Sequence, residues 1–300
     1  MLTNVFSVDV EDYFQVSSFE RHVPRTRWDE YPSRVVASTQ RLLELLSRHE
    51  VKGTFFVLGW VARKHPQLVR AIHDAGHEIG SHSYWHRLIY TQTPAEFRQD
   101  LGESKRVLED IVQAPVEVFR APSFSITRRS LWALEILVEE GFRVDSSVFP
   151  TRHDRYGIPG ARADLHELAT ASGPITEFPP TIVQWLHFAL PAGGGGYFRL
   201  YPYSLTHSLL RRVNASHRRP FMFYVHPWEV DPQQPRLAAG SRMGRFRHYV
   251  NLRHTEAKLE RLLSHFKFGR MKDVIAEQAI SAASITALAT QSDRDTVFAG

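Results

Sequence analysis

Short apolar, β-branched runs alternate with longer amphipathic stretches along most of this chain. Val5 to Val8 reads as a strand, and Val35 to Arg48 as a helix with an apolar stripe of Val36, Leu42, Leu43, Leu45 and Leu46. Thr54 to Leu58 is a second strand. Pro66 suits the first turn of a helix that stops at Gly76. His77 to Gly80 is a third strand, and Thr93-Pro94 caps a long helix ending near Val112. Val116 to Phe119 is a fourth strand, Thr127 starts a helix that ends at Gly141, and Phe142 to Val144 is a fifth strand. An irregular stretch holding Pro159, Pro174, Pro179 and Pro180 precedes a Gly193 to Gly196 run. A helix near Leu205 to Val213, an aromatic strand from Phe221 to Val225, a helix from Thr255 to His265 and a last strand and helix near Phe268 to Glu277 complete the order. Such alternation predicts parallel β/α units in a closed barrel or an open doubly wound sheet. Ala279 to Gly300 is mostly small and polar, the composition of a frayed tail.

Composition narrows the chemistry. The chain has 300 residues, 16 histidines and no cysteine, which excludes disulfides, thiolate nucleophiles and cysteine-ligated metals. A transition-metal site here must be built from His, Asp and Glu. Net charge is +5, carried by 31 arginines and six lysines that are interleaved with acids except in a late cluster from Arg211 to Arg247. A solvated surface accounts for that cluster better than a nucleic-acid site does. No run approaches the roughly 18 apolar residues of a membrane span. The first residues lack a basic region and a cleavage signal, so a cytoplasmic location is expected.

The polar clusters share one position: each follows a strand. Asp9, Glu11 and Asp12 follow the first, His82 and His86 the third, Arg120 the fourth, Asp145 the fifth, and His226 ends the aromatic strand. In a parallel α/β fold these ends lie on one face, where active sites form. Ser81 to His86 places two imidazoles at i and i+4, which a helical turn would aim at one cation. Strand periodicity puts Asp9 and Glu11 on one side, so one can ligate while the other stays free as a base; a turn would let Asp12 substitute for Glu11. Two histidines and one carboxylate leave coordination positions open, as catalytic metal sites do. Arg120, before the rigid Ala121-Pro122, is suited to fixing a carboxylate. His226 is suited to acid catalysis in a partly dry pocket, and Trp85 and Trp228 to walling that pocket or stacking on a sugar.

Five stretches in order resemble the polysaccharide deacetylase family, also called the NodB-homology family or carbohydrate esterase family 4. They are Ser7 to Asp12, His82 to His86, Arg120-Ala121-Pro122, Asp145-Ser146-Ser147 and Tyr224-Val225-His226. The stretches Asp9 to Phe14, Gly195 to Tyr201 and His226-Pro227-Trp228-Glu229 are similar to the deacetylases associated with exopolysaccharide biosynthesis, a subgroup near the peptidoglycan and allantoin-type enzymes. The resemblance implies an α/β fold, a distorted (β/α) barrel of about seven parallel strands, as one domain over residues 1–278 that a family-specific part at 190–278 completes. It implies a hydrolase that removes acetyl groups from an N-acetylhexosamine-containing polysaccharide or its precursor with a divalent metal, zinc by preference. Asp9 would be the base, Arg120 its partner, His82 and His86 ligands with Glu11 (or Asp12), and His226 the acid, tuned by Asp145. The backbone N–H of Ser123 would bind the oxyanion, and Trp85, Tyr224 and Trp228 would contact substrate. The expected partner is an N-acetylated glycan, with peripheral membrane contact if that glycan is lipid-linked, and no nucleic acid. A metal-dependent hydrolase of a small cyclic ureide and a non-catalytic carbohydrate-binding protein are the rival readings.

Overall fold

The computed structural model of this chain describes residues 2–278 apart from 154, 186 and 187. Its first half runs β1 (Thr3–Val10), α1 (Val35–Arg48), β2 (Thr54–Val57), α2 (Gly59–Lys64), α3 (Pro66–Asp74), β3 (Glu78–Ser81), α4 (Pro94–Val112), β4 (Val118–Phe119), α5 (Trp132–Glu139) and β5 (Val144–Asp145). Two hairpins follow, β6 (His166–Thr170) with β7 (Gly173–Glu177) and β8 (Ile182–Trp185) with β9 (Phe188–Pro191). Then come α6 (Gly195–Leu200), α7 (Tyr203–Ala215), β10 (Met222–Val225), α8 (Arg242–Tyr249), α9 (Thr255–His265), β11 (Lys267–Gly269) and α10 (Met271–Glu277).

The main sheet has the order β10-β1-β2-β3-β4-β5-β7-β6, with β11 also beside β1. Every pairing from β10 to β7 is parallel, and only β6 runs antiparallel. β1 is buried at all eight positions because it lies between neighbours and under helices, which is why Val5 to Val8 reads as a continuous run without alternation. Between β7 and β10 the ring is completed by chain rather than strand. Phe178 N–H donates to Asp145 O (2.8 Å), and Thr181 Oγ1 accepts from Met222 N–H and donates to Met222 O, each at 2.8 Å. Gly194, at φ 128°, pairs with Tyr224 so closely that any Cβ would collide with the Tyr224 backbone.

Several sequence signals act as expected. Thr93 and Glu96 form a reciprocal capping box at the start of α4, and Gly76 takes φ 84° after α3. Elsewhere the structure differs. The proline-bearing stretch holds the β6–β7 hairpin; Pro174 precedes Thr176 and Glu177, the residues of β7 that pair with β5, so its missing N–H costs that pairing nothing. The helix expected from Thr127 is a 3-10 turn, Arg128–Ser130, followed by α5. α2, α6 and α8 are six to eight residues long, too short for a periodic signal. The expected frayed tail, 279–300, lies outside the described residues.

Candidate active site

The C-terminal ends of β1, β3, β4 and β10 meet around a cavity of about 350 Å3 whose floor is Asp9, Glu11, His82, His86 and His226. β1 turns immediately after Val10, the Glu11 N–H donating to Asp9 O (3.0 Å), so the two carboxylates reach the cavity while Asp12 turns away from it. Asp12 accepts from Ser33 Oγ (2.6 Å) and from the backbone N–H groups of Arg34 and Val35, closing the start of α1. Glu11 is therefore the carboxylate available to a metal, and Asp12 caps a helix.

Glu11, His82 and His86 offer one ligand atom each, all within 4.8 Å of one another. His82 Nδ1 lies 2.8 Å from Arg120 O, a carbonyl that only accepts, so the ring proton sits on Nδ1 and Nε2 keeps its lone pair. Burial lowers the His82 pKa to about 4, which keeps it neutral. Burial pushes the Glu11 carboxyl up, but His86, His226 and His82 outweigh it and hold it at about 2. Glu11 Oε2 lies 2.7 Å from His86 Nε2, close enough for an ion pair but not aligned as a hydrogen bond, so this buried oxygen has no donor. A buried carboxylate oxygen without a donor, set among two imidazoles, fits a shared divalent cation. The other oxygen, Oε1, accepts from Trp228 Nε1 (3.1 Å), which orients the carboxylate.

The segment that carries both histidines is not a helical turn. Ser83 and His86 take positive φ, 63° and 52°, and the loop is held by Asp100, which accepts from Tyr84 N–H (2.7 Å) and Trp85 N–H (3.2 Å). This clamp turns Trp85 away from the cavity, and its indole packs at 6.1 Å from that of Trp28. Trp85, expected at the substrate, therefore does not line this cavity. Trp228 lines the cavity, stacked between His226 (5.0 Å) and His248 (4.2 Å), and Tyr224 lines it from β10.

Arg120 crosses the barrel interior with no exposure. Its Nη1 donates to Asp9 Oδ1 (2.6 Å) and Ser7 Oγ (2.9 Å), its Nη2 to Ser146 Oγ (3.0 Å), and the guanidinium lies 4.1 Å over the Phe56 ring. The Asp9 carboxylate is thereby pinned with Oδ2 facing His226 Nε2 at 3.8 Å. Ser123, in the left-handed conformation (φ 51°, ψ 28°), lines the cavity, and among the described residues its N–H meets no acceptor.

His226 is oriented by Glu229, not by Asp145. Its Nδ1 donates to Glu229 Oε1 (2.7 Å), which also accepts the His226 N–H (3.0 Å) across the 3-10 turn Pro227–Val230. Burial lowers the imidazole pKa, but the Glu229 hydrogen bond and the charges of Glu11, Glu229 and Asp9 raise it to about 9. Glu229 is held at about 2, against burial, chiefly by Arg199, whose Nε donates to Oε2 at 2.5 Å. Asp145 instead accepts from Ser147 Oγ (2.5 Å), and Ser147 Oγ accepts the Ala121 N–H (2.8 Å), so this aspartate braces the turn after Arg120. It also pairs in the sheet with Glu177, whose pKa burial and the Asp145 charge push well above the usual range, while burial raises that of Asp145. Glu229 and Arg199 are not among the residues singled out from the sequence, although both lie in the stretches similar to the exopolysaccharide-associated deacetylases, His226 to Glu229 and Gly195 to Tyr201.

The sequence pattern of the polysaccharide deacetylase family matches residues 26–139. Over those residues the chain is similar to that family. Residues 146–276 match a domain of unknown function, DUF3473. Among curated relatives in the family, a peptidoglycan-N-acetylglucosamine deacetylase of Bacillus cereus is 34% identical over 98 residues, 32% of this chain and 36% of that one. The peptidoglycan-N-acetylmuramic acid deacetylase PdaA of Bacillus subtilis is 40% identical over 63 residues, 21% of this chain and 24% of that one. The chain thus spans about a third or less of these deacetylases' length. A crystal structure named as a polysaccharide deacetylase, from Mycobacterium smegmatis, superposes with a TM-score of 0.62 at 19% identity, covering 94% of this chain and 91% of the other, which shows a shared fold. Deacetylases of carbohydrate esterase family 4 depend in general on a metal, and the Glu11, His82 and His86 donors suit one.

Proposed function

We propose that the chain hydrolyses the acetamide of an N-acetylhexosamine within a polysaccharide, or within the precursor of an exopolysaccharide, releasing acetate. The observation that carries this reading is that a carboxylate pinned by Arg120 and an imidazole pinned by Glu229 face one another at 3.8 Å beside a His, His, carboxylate triad, in a single cavity. The names of the Bacillus relatives, which act on N-acetylated sugars of peptidoglycan, support the substrate class.

A divalent ion at the triad, zinc by preference for two imidazoles and a carboxylate, would supply an acidified water and polarise the amide carbonyl. Asp9 Oδ2 takes the proton of the attacking water, its other oxygen held by Arg120 so that the free one points at the reacting centre. Oxygen adds to the carbonyl carbon, and the charge developing on the carbonyl oxygen is met by the Ser123 N–H; one such donor contributes about 3 kcal/mol. His226, holding a proton on Nε2 while Nδ1 is fixed on Glu229, protonates the departing nitrogen as the carbon–nitrogen bond breaks. The products are acetate and a free amino sugar. Acetate release from a panel of N-acetylated oligosaccharides, with and without chelator, tests the reading. Chelator-sensitive release is expected; turnover of a cyclic ureide with no release from any sugar would replace it, and failure to bind any divalent metal would return the chain to a carbohydrate-binding role.

A further inference from the structure

Between Asp231 and Glu256 the chain contains five arginines, at 236, 242, 245, 247 and 253, and no acidic residue. Helix α8 lies in the middle of this stretch and is anchored on one side. Ser241 Oγ accepts the Gly244 N–H (3.0 Å), and His248 is buried against Trp228 with its Nε2 2.7 Å from Gln234 Oε1. Gly244 and His248, four residues apart, form the inward face.

The outward face is unusual. Met243 and Phe246 are 58% and 54% exposed, the most exposed of the large apolar side chains among the described residues, and the exposed Arg242 and Arg247 stand one turn from them, Arg242 beside Phe246 and Met243 beside Arg247. Among the described residues no carboxylate pairs with Arg242, Arg245 or Arg247, in contrast to the paired Arg120 and Arg199. Arg247 also lines the cavity, as does Leu200, a further exposed apolar residue at 40%. An apolar tip set among unpaired guanidinium groups is costly in water and is matched by the boundary layer of an anionic bilayer, where rings enter the acyl region and arginines meet lipid phosphates. A polyanionic glycan would satisfy the arginines but leave Met243 without a partner.

We infer that the outer face of α8 docks this protein on an anionic lipid surface, which brings the cavity mouth to glycans held at that surface. No helix among the described residues is long and apolar enough to cross a membrane, so the contact is peripheral. The inference does not depend on the deacetylase reading, since its readout is binding.

The full chain is sedimented with vesicles of phosphatidylcholine alone and of phosphatidylcholine with phosphatidylglycerol. Binding is expected only to the second. The pair Met243→Ala with Phe246→Ala, and separately Arg242→Glu, should each weaken it by roughly tenfold or more, with melting temperature and acetate release from a soluble oligosaccharide unchanged. Three results would overturn the inference: no binding to anionic vesicles; binding lost in Arg242→Glu but kept in the Met243, Phe246 pair, which would mark a site for a soluble polyanion; or light scattering showing that the face is buried between two copies of the chain.

Discussion

His226 Nδ1 and Glu229 Oε1 lie 2.7 Å apart, three residues along one 3-10 turn, and Arg199 closes the far side of the same carboxylate. The imidazole proposed as the acid is therefore tuned from within its own loop by a carboxylate that a buried arginine keeps ionised. In the proposed mechanism His226 acts in its protonated form, so activity is expected to fall as pH rises through its pKa of about 9. Removing an opposite charge lowers an imidazole pKa by about 1–3 units. In Glu229→Gln the alkaline limb of kcat/KM is expected to move to lower pH by that amount, as the pH profile measures. An unchanged limb would detach Glu229 from the acid.

Asp9 and Arg120 form an ion pair with almost no exposure. Arg120→Met leaves the Asp9 charge buried and unpaired, and denaturant unfolding should show a loss of about 3–5 kcal/mol. Asp9→Asn keeps an acceptor for Arg120 but removes the base. Its kcat should fall by about 10²–10⁴, with metal content unchanged by elemental analysis.

Glu11 and Asp12 separate cleanly by experiment. Glu11→Gln, like His82→Ala, should lower bound metal well below one per chain after dialysis against a weak chelator. Asp12→Asn should keep full metal and lose about 1 kcal/mol of stability, because it weakens only the cap on α1. Metal loss in Asp12→Asn would reverse the assignment.

Burial and the charge of Asp145 raise the Glu177 pKa well above the usual carboxyl range. A carboxyl whose folded pKa is raised contributes stability that is fully present below its unfolded value, near 4.3, and is lost as pH rises through the folded value. Glu177→Gln cannot ionise. Its melting temperature should therefore decline less than that of the parent chain as pH rises above the ordinary carboxyl range; equal declines would show that the fold does not raise the Glu177 pKa.

Much of the site is legible in the chain because parallel β/α folds place strand ends together. Once strands were assigned from apolar runs, Asp9, His82, Arg120 and His226 had to share a face, and the structure puts all four within one group of contacts. The path of the loops is less legible than the strand ends. The i, i+4 spacing of His82 and His86 suggested a helical turn, whereas the Asp100 clamp holds a loop with two left-handed residues and turns Trp85 outward.

The order of strands, the cysteine-free donor set and the residues at strand ends are thus properties of the sequence by itself, since period and local apolarity report burial without reference to distant chain. Only the tertiary structure decided that Glu11 and not Asp12 joins His82 and His86, that Glu229 and not Asp145 holds His226, and that residues 178–181 complete the barrel. Each of those depends on the path of a turn and on a partner brought from elsewhere in the chain, Ser33 for Asp12, Arg199 for Glu229 and Met222 for Thr181. Such pairings are set by packing across the barrel, and a one-dimensional pattern of apolar and polar positions carries no record of it.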